Sequence, residues 1–336
     1  MKNPSAKPVK GFTLIELLVA MAITTIIITI LVSITGLSLD TWNRSRSEIR
    51  AARQGKAMID SMSRDFESMV VRKGNNFEWL YAAFSPTASG PKDNSNKSPN
   101  AADLVFFSAA TDRYNGNIGD IGPTGKDKGG DVSTVAYQLA YKDPIDGGNT
   151  KFNTFVLYRK LVNPDMTFGT VAVPGTLGIA FDSTNASTAN SPALLTRARN
   201  AAADASLSGN EVDNVGNFIC ENVYQFTLTF HVEATGTSGT LVSVPVPLGD
   251  GTGGTTSILK IAGSGLHMDS GIVGSGVTNP QLKAGRVTSI EVSLTVLTDF
   301  GLSQMRKRDL SNAAAKAEFI AKNSYQFSKL IPVPGS

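Results

Sequence analysis

The chain has 336 residues, with 31 lysines and arginines against 28 acids, and 41% of its residues are hydrophobic. This composition excludes a disordered chain, and a net charge of +3 is too small to predict nucleic acid as a partner. The single cysteine, Cys220, excludes an intramolecular disulfide, and its apolar neighbours predict a buried, inert thiol.

The N-terminal segment carries most of the information. Residues 1–11 contain three lysines, two prolines and no acid, and residues 12–39 follow with a single charge, Glu16. At about 1.5 Å per residue, a helix over residues 12–39 measures roughly 42 Å, which is enough to cross a bilayer. The segment therefore predicts a membrane-spanning helix behind a basic leader.

Three interpretations compete for this segment. A secretory signal peptide has a shorter apolar run with small residues at its far end, where this chain has Asp-Thr-Trp-Asn at residues 40–43. An ordinary signal anchor gives no reason for an acid, which costs on the order of 3 kcal/mol deep in a bilayer. The third interpretation is a prepilin leader.

Basic residues flank both ends of the apolar run, so charge does not set its orientation.

Residues 10–20, Lys-Gly-Phe-Thr-Leu-Ile-Glu-Leu-Leu-Val-Ala, closely resemble the cleavage and methylation motif of type IV prepilins. In that family a short basic leader ends in glycine, the next residue is usually phenylalanine, and a glutamate stands fifth after the cut. The resemblance implies that a prepilin peptidase cuts between Gly11 and Phe12 on the cytoplasmic side and N-methylates Phe12. It also implies that Glu16 pairs with the terminal amine of a neighbouring subunit, since a carboxylate and an ammonium are tolerable together in an apolar bundle.

The same resemblance implies the surroundings of the protein. The expected partners are the prepilin peptidase, other pilins or pseudopilins, and an inner-membrane assembly platform. The expected location is the inner membrane, with one span and a periplasmic C-terminal domain, followed by assembly into a pilus or pseudopilus. The expected role is structural rather than enzymatic, with no nucleic acid as partner.

Helical periodicity continues beyond the apolar run. Apolar residues recur at helical spacing to about residue 70, so one helix is predicted over residues 13–73, with Gly36 and Gly55 as weak points. Strands are predicted at residues 104–108, 132–141, 152–162, 223–233 and 287–298, with shorter ones at 241–246 and 257–261. A helix at 312–323 and a final edge strand or arm near 325–333 are also predicted.

The predicted fold class is α+β and pilin-like, with a long N-terminal helix packed on antiparallel β-sheet and long loop insertions. The predicted domains are a leader (residues 1–11), a transmembrane or filament-core helix (12–39) and a globular domain (40–336). The segments 85–100, 115–131, 183–217 and 235–285 are rich in turn residues and are predicted to be surface insertions, with a short helix near 193–205.

Beyond the leader, the order of elements resembles the J-type minor pseudopilin of type II secretion and the related W-type minor pilin. The stretches that carry this resemblance are residues 62–67, 135–139, 155–159, 223–230 and 286–297. The resemblance implies a subunit near the filament tip. Glu16 disfavours the K-type tip subunit, which characteristically lacks that acid.

No catalytic constellation is found in the sequence. The two histidines are isolated: His231 is predicted on the strand face opposite Phe230, and His267 lies in a glycine-rich loop. Two acidic loops are weak calcium candidates, one at residues 120–131 and one with Asp143, Asp146 and Asn149, although turn chemistry explains both. No other cofactor is expected. An alternative function is an adhesion or ligand-binding module displayed through the glycine-rich loops.

Overall fold

The computed structural model describes residues 11, 13–72, 78–109, 131–145, 151–162, 212–269 and 277–334. The chain divides into two compact units, Met1–Ile49 and Arg50–Ser336. The first unit contributes the start of a helix, and the second unit, called the head below, contains the rest of that helix and the sheets.

Helix α1 runs from Leu14 to Glu67 without a break. Its predicted start is confirmed, but the predicted end at residue 73 is wrong by six residues. The chain leaves the helix because the next residues pair with a strand: Met69 forms a β-bridge with Ser108, and the Val70 N–H donates to the Phe107 carbonyl at 2.8 Å. Apolar residues that looked like a last helical turn are therefore used by the sheet.

The described strands of the head are β1 (Glu78–Phe84), β2 (Ala102–Ser108), β3 (Ser133–Lys142), β4 (Thr154–Val162), β5 (Phe218–Glu221), β6 (Val223–Thr235), β7 (Leu241–Pro247), β8 (Ile258–Ala262), β9 (Gly265–Met268), β10 (Arg286–Leu297) and β11 (Ser324–Pro332). The described helices after α1 are a 3-10 turn (Val215–Asn217), α2 (Asn279–Lys283), α3 (Asp299–Met305) and α4 (Ala313–Asn323).

The described strands form two antiparallel sheets. One sheet has seven strands in the order β5-β4-β3-β2-β1-β8-β9, and the other has four in the order β11-β10-β6-β7. The α+β, pilin-like class with antiparallel sheet is confirmed. The four-stranded sheet is built around β6 and β10, which pair with each other over most of their residues.

The core of the head lies between the C-terminal half of helix α1 and the inner faces of both sheets. Met62 and Phe66 of the helix are completely buried, and Phe66 stacks on Phe106 of β2 with ring centroids 4.8 Å apart. In β6, as predicted, alternate apolar residues point inward while His231 on the opposite face is half-buried. Period-two alternation thus sets which face of the four-stranded sheet meets the core.

The prediction that residues 235–285 form a surface insertion is partly wrong. The two short strands predicted within it are confirmed as β7 and β8, but β8 belongs to the seven-stranded sheet. Residues 258–268 form the hairpin β8–β9, and β8 pairs with β1 inside the seven-stranded sheet. Leu259 and Met268 are buried there. Strands β1, β5 and β9 were not predicted, because they are short or continuous in hydrophobicity and lack alternation. The predicted short helix near residues 193–205 lies outside the described residues.

The C-terminal predictions are confirmed. Helix α4 spans Ala313–Asn323, and β11 pairs with β10 as an edge strand of the four-stranded sheet. Strand β11 also lies against helix α1, where a Cβ added to Gly55 would stand 2.2 Å from a ring carbon of Phe327. The absence of a side chain at Gly55 therefore allows the helix and β11 to approach each other closely.

Candidate processing and assembly site

The predicted processing site, between Gly11 and Phe12, comes just before helix α1 in the chain. Gly11 is exposed and outside the helix, and a Cβ built at Gly11 would meet no atom within 4 Å. The backbone around Gly11 is therefore open to an approaching protease. Phe12 and the leader residues 1–10 lie outside the described residues.

Glu16 stands in the first turn of the helix and closes a capping box with Thr13. The Thr13 backbone N–H and hydroxyl both donate to the Glu16 Oε2, at 2.9 and 2.8 Å, and the Glu16 N–H donates to the Thr13 Oγ1 at 3.4 Å. Such a box satisfies N–H groups that the helix itself leaves unpaired. The carboxylate is thereby held on the N-terminal side of the helix.

Thr13 was not singled out from the sequence as a functional residue. The spacing Thr-x-x-Glu before an apolar run is a known N-terminal helix pattern, and it would have identified Thr13 as the capping partner of Glu16. The acid thus has a partner within its own chain as well as the partner that the prepilin resemblance implies.

The helix behind this site is apolar and exposed. By length and composition α1 is able to cross a membrane, and its most apolar window has no buried residue. Its hydroxyl side chains bond back to the helix: Thr24 Oγ1 donates to the Ala20 carbonyl at 2.7 Å, and Thr25 Oγ1 to the Met21 carbonyl at 2.8 Å. These bonds leave the helix with an apolar surface suited to lipid or to other helices.

In the head, a largely buried ion pair ties helix α1 to the seven-stranded sheet. Arg159 of β4 donates from Nε and Nη2 to the two carboxylate oxygens of Asp65, at 2.7 and 2.8 Å, and the Tyr137 hydroxyl of β3 donates to the same carboxylate. The side chains of Arg159 and Asp65 are only 17% and 13% exposed. The hydrogen bonds to Asp65 raise the pKa of Arg159, while burial, followed by the nearby carboxylate, raises the pKa of Tyr137 well above its usual range.

Asp65 and Arg159 lie in two of the stretches that carry the J-type resemblance, residues 62–67 and 155–159. The structure brings those two stretches together, which the sequence does not reveal on its own. Their contact is a bidentate pair, the arrangement that fixes both distance and orientation. The network therefore fixes the position of the C-terminal end of helix α1 on the sheet.

The calcium candidates are only partly described. Asp143 is buried and its Oδ1 accepts a hydrogen bond from the Ile145 N–H at 2.9 Å, as in an ordinary turn. Asp146, Asn149 and residues 120–130 lie outside the described residues. Within the described part of the chain, no group of three or more His, Cys, Asp and Glu side chains is placed to hold a metal ion. Calcium binding stays a prediction.

Cys220 and the histidines show no catalytic arrangement in the described residues. Burial, followed by the neighbouring Glu221, raises the pKa of the Cys220 thiol to about 12, which makes the thiol inert as predicted. The His231 Nε2 lies 3.9 Å from the Glu291 Oε2. Burial and two nearby lysines lower the pKa of His267, so this imidazole is neutral near pH 7.

An exposed apolar helix that begins at a capped acid, joined to a head of antiparallel sheets, fits a pilin-like fold with a membrane anchor. Residues 7–32 match a family model described as the Prokaryotic N-terminal methylation motif. This stretch of the chain therefore carries an N-terminal methylation motif of the prepilin type, the motif that prepilin peptidase recognises in its substrates. Searches of curated proteins and of solved structures gave no match.

Proposed function

We propose that the protein is a minor pilin or pseudopilin, cut between Gly11 and Phe12, N-methylated on Phe12, and inserted into a filament through helix α1. The observation that carries this proposal is the position of Glu16, in the first turn of an apolar helix and within the matched methylation motif. An acid in that place is costly in a bilayer unless a cation neutralises it.

The new N-terminal amine of a neighbouring subunit supplies that cation. Cleavage creates an ammonium group at Phe12, and the Glu16 carboxylate is already turned towards the N-terminal end of its helix. A pair between the two charges sets the axial register between neighbouring helices, because neither charge is stable alone in an apolar bundle.

The finer role that we propose is that of a J-type minor pseudopilin or a W-type minor pilin. The supporting observation is the ion pair between Asp65 and Arg159, which joins two of the stretches on which that resemblance depends. The head is then displayed on the periplasmic side of the inner membrane before assembly. Calcium in the loop of Asp143 is the one cofactor proposed, and a calcium titration in calorimetry tests it.

The first experiment is an intact mass measurement with N-terminal peptide mapping on protein from its native membrane. We expect a mature chain that begins at Phe12 and carries one added methyl group. A chain that begins at Met1 while the peptidase is present would show that the protein is a plain membrane anchor.

The second experiment compares Glu16→Gln with the wild type in filament preparations. Glutamine retains the capping box but removes the charge. We expect normal processing and little of the variant in the filament. Normal incorporation of Glu16→Gln would refute the proposed pairing, and the control variant Glu48→Gln, which alters an exposed acid further along the helix, should incorporate normally.

A further inference from the structure

A groove opens in the head where the two sheets end side by side. It encloses about 430 Å³, a size typical of ligand sites, and its walls come from the β8–β9 hairpin, from β6 and β7, and from the turn after α2. Its floor is apolar, with Val71, Ile261, Leu266 and Val287. No residue of the proposed processing and assembly site lines it.

Two glycines, Gly265 and Gly285, line the groove at positions where the backbone leaves no room or no suitable conformation for a side chain. Gly265 has φ +129°, a conformation that side chains rarely adopt. A Cβ on Gly285 would stand 2.7 Å from the Glu233 carbonyl oxygen, so the chain passes β6 too closely for any side chain at Gly285. The apolar floor therefore stays accessible from the rim.

The rim of the groove is positive. Arg286 donates to the Glu233 Oε2 from Nε at 2.8 Å and from Nη2 at 2.7 Å, and these two charges balance each other. Lys283 adds a cation that has no counterion among the described lining residues. A negatively charged group is the complement.

Two sheet edges flank the groove. Strand β9 is the last strand of the seven-stranded sheet and β7 is the last strand of the four-stranded one, in the described part of the chain. Pro245 and Pro247 remove backbone donors from the far end of β7, whereas Leu241, the β7 residue that lines the groove, keeps its N–H group. Leu241 at this end is 69% exposed. An extended backbone finds hydrogen-bonding groups here, which a simple acyl chain would not use.

We propose that this groove binds the carboxy-terminal end of an extended peptide whose last residue is apolar. The last side chain lies on the apolar floor, the α-carboxylate faces Lys283, and the peptide backbone follows a sheet edge. This inference does not rest on filament assembly, because the groove is built entirely within the head.

The test measures binding of N-acetyl-leucyl-leucine to the full chain in maltoside micelles by calorimetry and ligand-observed NMR. The matched probes are N-acetyl-leucyl-leucinamide, which lacks the carboxylate, and hexanoate, which lacks the peptide backbone. We expect the carboxylate dipeptide to bind about three- to fivefold more tightly than the amide, as suits one partly exposed ion pair. Hexanoate should bind more weakly than the dipeptide.

Variants locate the site. Lys283→Gln should reduce the affinity for the carboxylate dipeptide to that for the amide and leave the affinity for the amide unchanged. Ala284→Phe places a ring at the mouth of the groove, at an exposed position with ordinary helical dihedrals, and should abolish binding of both dipeptides. The control Lys307→Gln, an exposed lysine outside the groove lining, should change nothing.

Several results would overturn the inference: no saturable binding to the wild type, equal affinity for acid and amide, equal loss of both on Lys283→Gln, or hexanoate binding as tightly as the dipeptide. The mass of the same preparation reports processing after Gly11. Failure of peptide binding is thereby separated from failure of the proposed function.

Discussion

Removal of the Asp65 carboxylate tests the ion pair that joins helix α1 to the sheet. In the variant Asp65→Asn, the Arg159 guanidinium keeps its place but loses its counterion, while it remains only 17% exposed. Removing one partner of a buried pair costs about 3–5 kcal/mol. Because the side chains of Arg159 and Asp65 are 17% and 13% exposed, we expect a loss at the lower end of this range, about 3 kcal/mol. That loss is a large part of the 5–15 kcal/mol that is typical of folded domains.

Denaturant unfolding of the full chain in micelles, followed by Trp79 fluorescence, measures this loss. Trp79 is 4% exposed and packs edge-on against Phe107, with ring centroids 5.5 Å apart, so its emission reports on the head. Trp42 is exposed on the helix and should be replaced by phenylalanine in every variant. The midpoint for Asp65→Asn should fall well below that of the parent at unchanged slope.

Two comparisons make the measurement decisive. Asp60→Asn breaks an exposed pair with Lys329 at 3.4 Å on the same helix, and should cost less than about 0.5 kcal/mol. Replacing all three partners, Asp65→Leu with Arg159→Met and Tyr137→Phe, should cost about 1 kcal/mol or less, because neither a charge nor a buried hydroxyl is left without a partner. If Asp65→Asn unfolds like Asp60→Asn, the ion pair does not hold the helix to the sheet and the reasoning fails.

Three further predictions use the same unfolding assay or a simple variant of it. Gly55→Ala should destabilise the head by about 1–3 kcal/mol, because the new Cβ meets the Phe327 ring, whereas Gly36→Ala should leave its midpoint unchanged, since nothing lies within 4 Å. The pKa of His267 is lower in the folded state, so the unfolded chain binds more protons below about pH 6.5. Stability should therefore fall as pH drops below that value, and His267→Gln should reduce the fall. Cys220 should resist iodoacetamide at pH 8 in the folded protein and react once the protein is unfolded, because burial raises its pKa to about 12.

Local patterns of the sequence predicted the elements that local physics determines. The apolar run predicted helix α1. Alternation at Phe226, Leu228 and Phe230 predicted β6 and the face of β6 that is buried. The end of α1 was missed because Met69 and Val70 fit a helical repeat equally well. Only their pairing with β2, about 40 residues further along the chain, shows that they belong to the sheet.

The candidate site divides in the same way. The cleavage motif and Glu16 are contiguous in the chain, so the sequence was enough to find them. The contact of Asp65 with Arg159 joins residues 94 positions apart, and no local pattern carries that information. The groove likewise depends on two sheet ends meeting. Strand β8 was predicted at residues 257–261, but its partner β9 was missed because it has four residues in a glycine-rich segment.

The capping box raises a question about Glu16 that one more substitution answers. The carboxylate serves its own helix through Thr13 and, in our proposal, a neighbour's amine. A loss of assembly in Glu16→Ala, which removes both the cap and the charge, therefore has two explanations. Thr13→Val removes the hydroxyl and leaves the charge, and should loosen the first helical turn by about 1 kcal/mol. Since the charge remains, we expect processing after Gly11 and incorporation into the filament close to the wild type. Faster amide exchange at residues 14–17 should report the lost cap, and Thr13→Ser should restore protection. If Thr13→Val is excluded from the filament as strongly as Glu16→Ala while Glu16→Gln is incorporated normally, the acid acts by capping its own helix, and pairing with the neighbour is refuted.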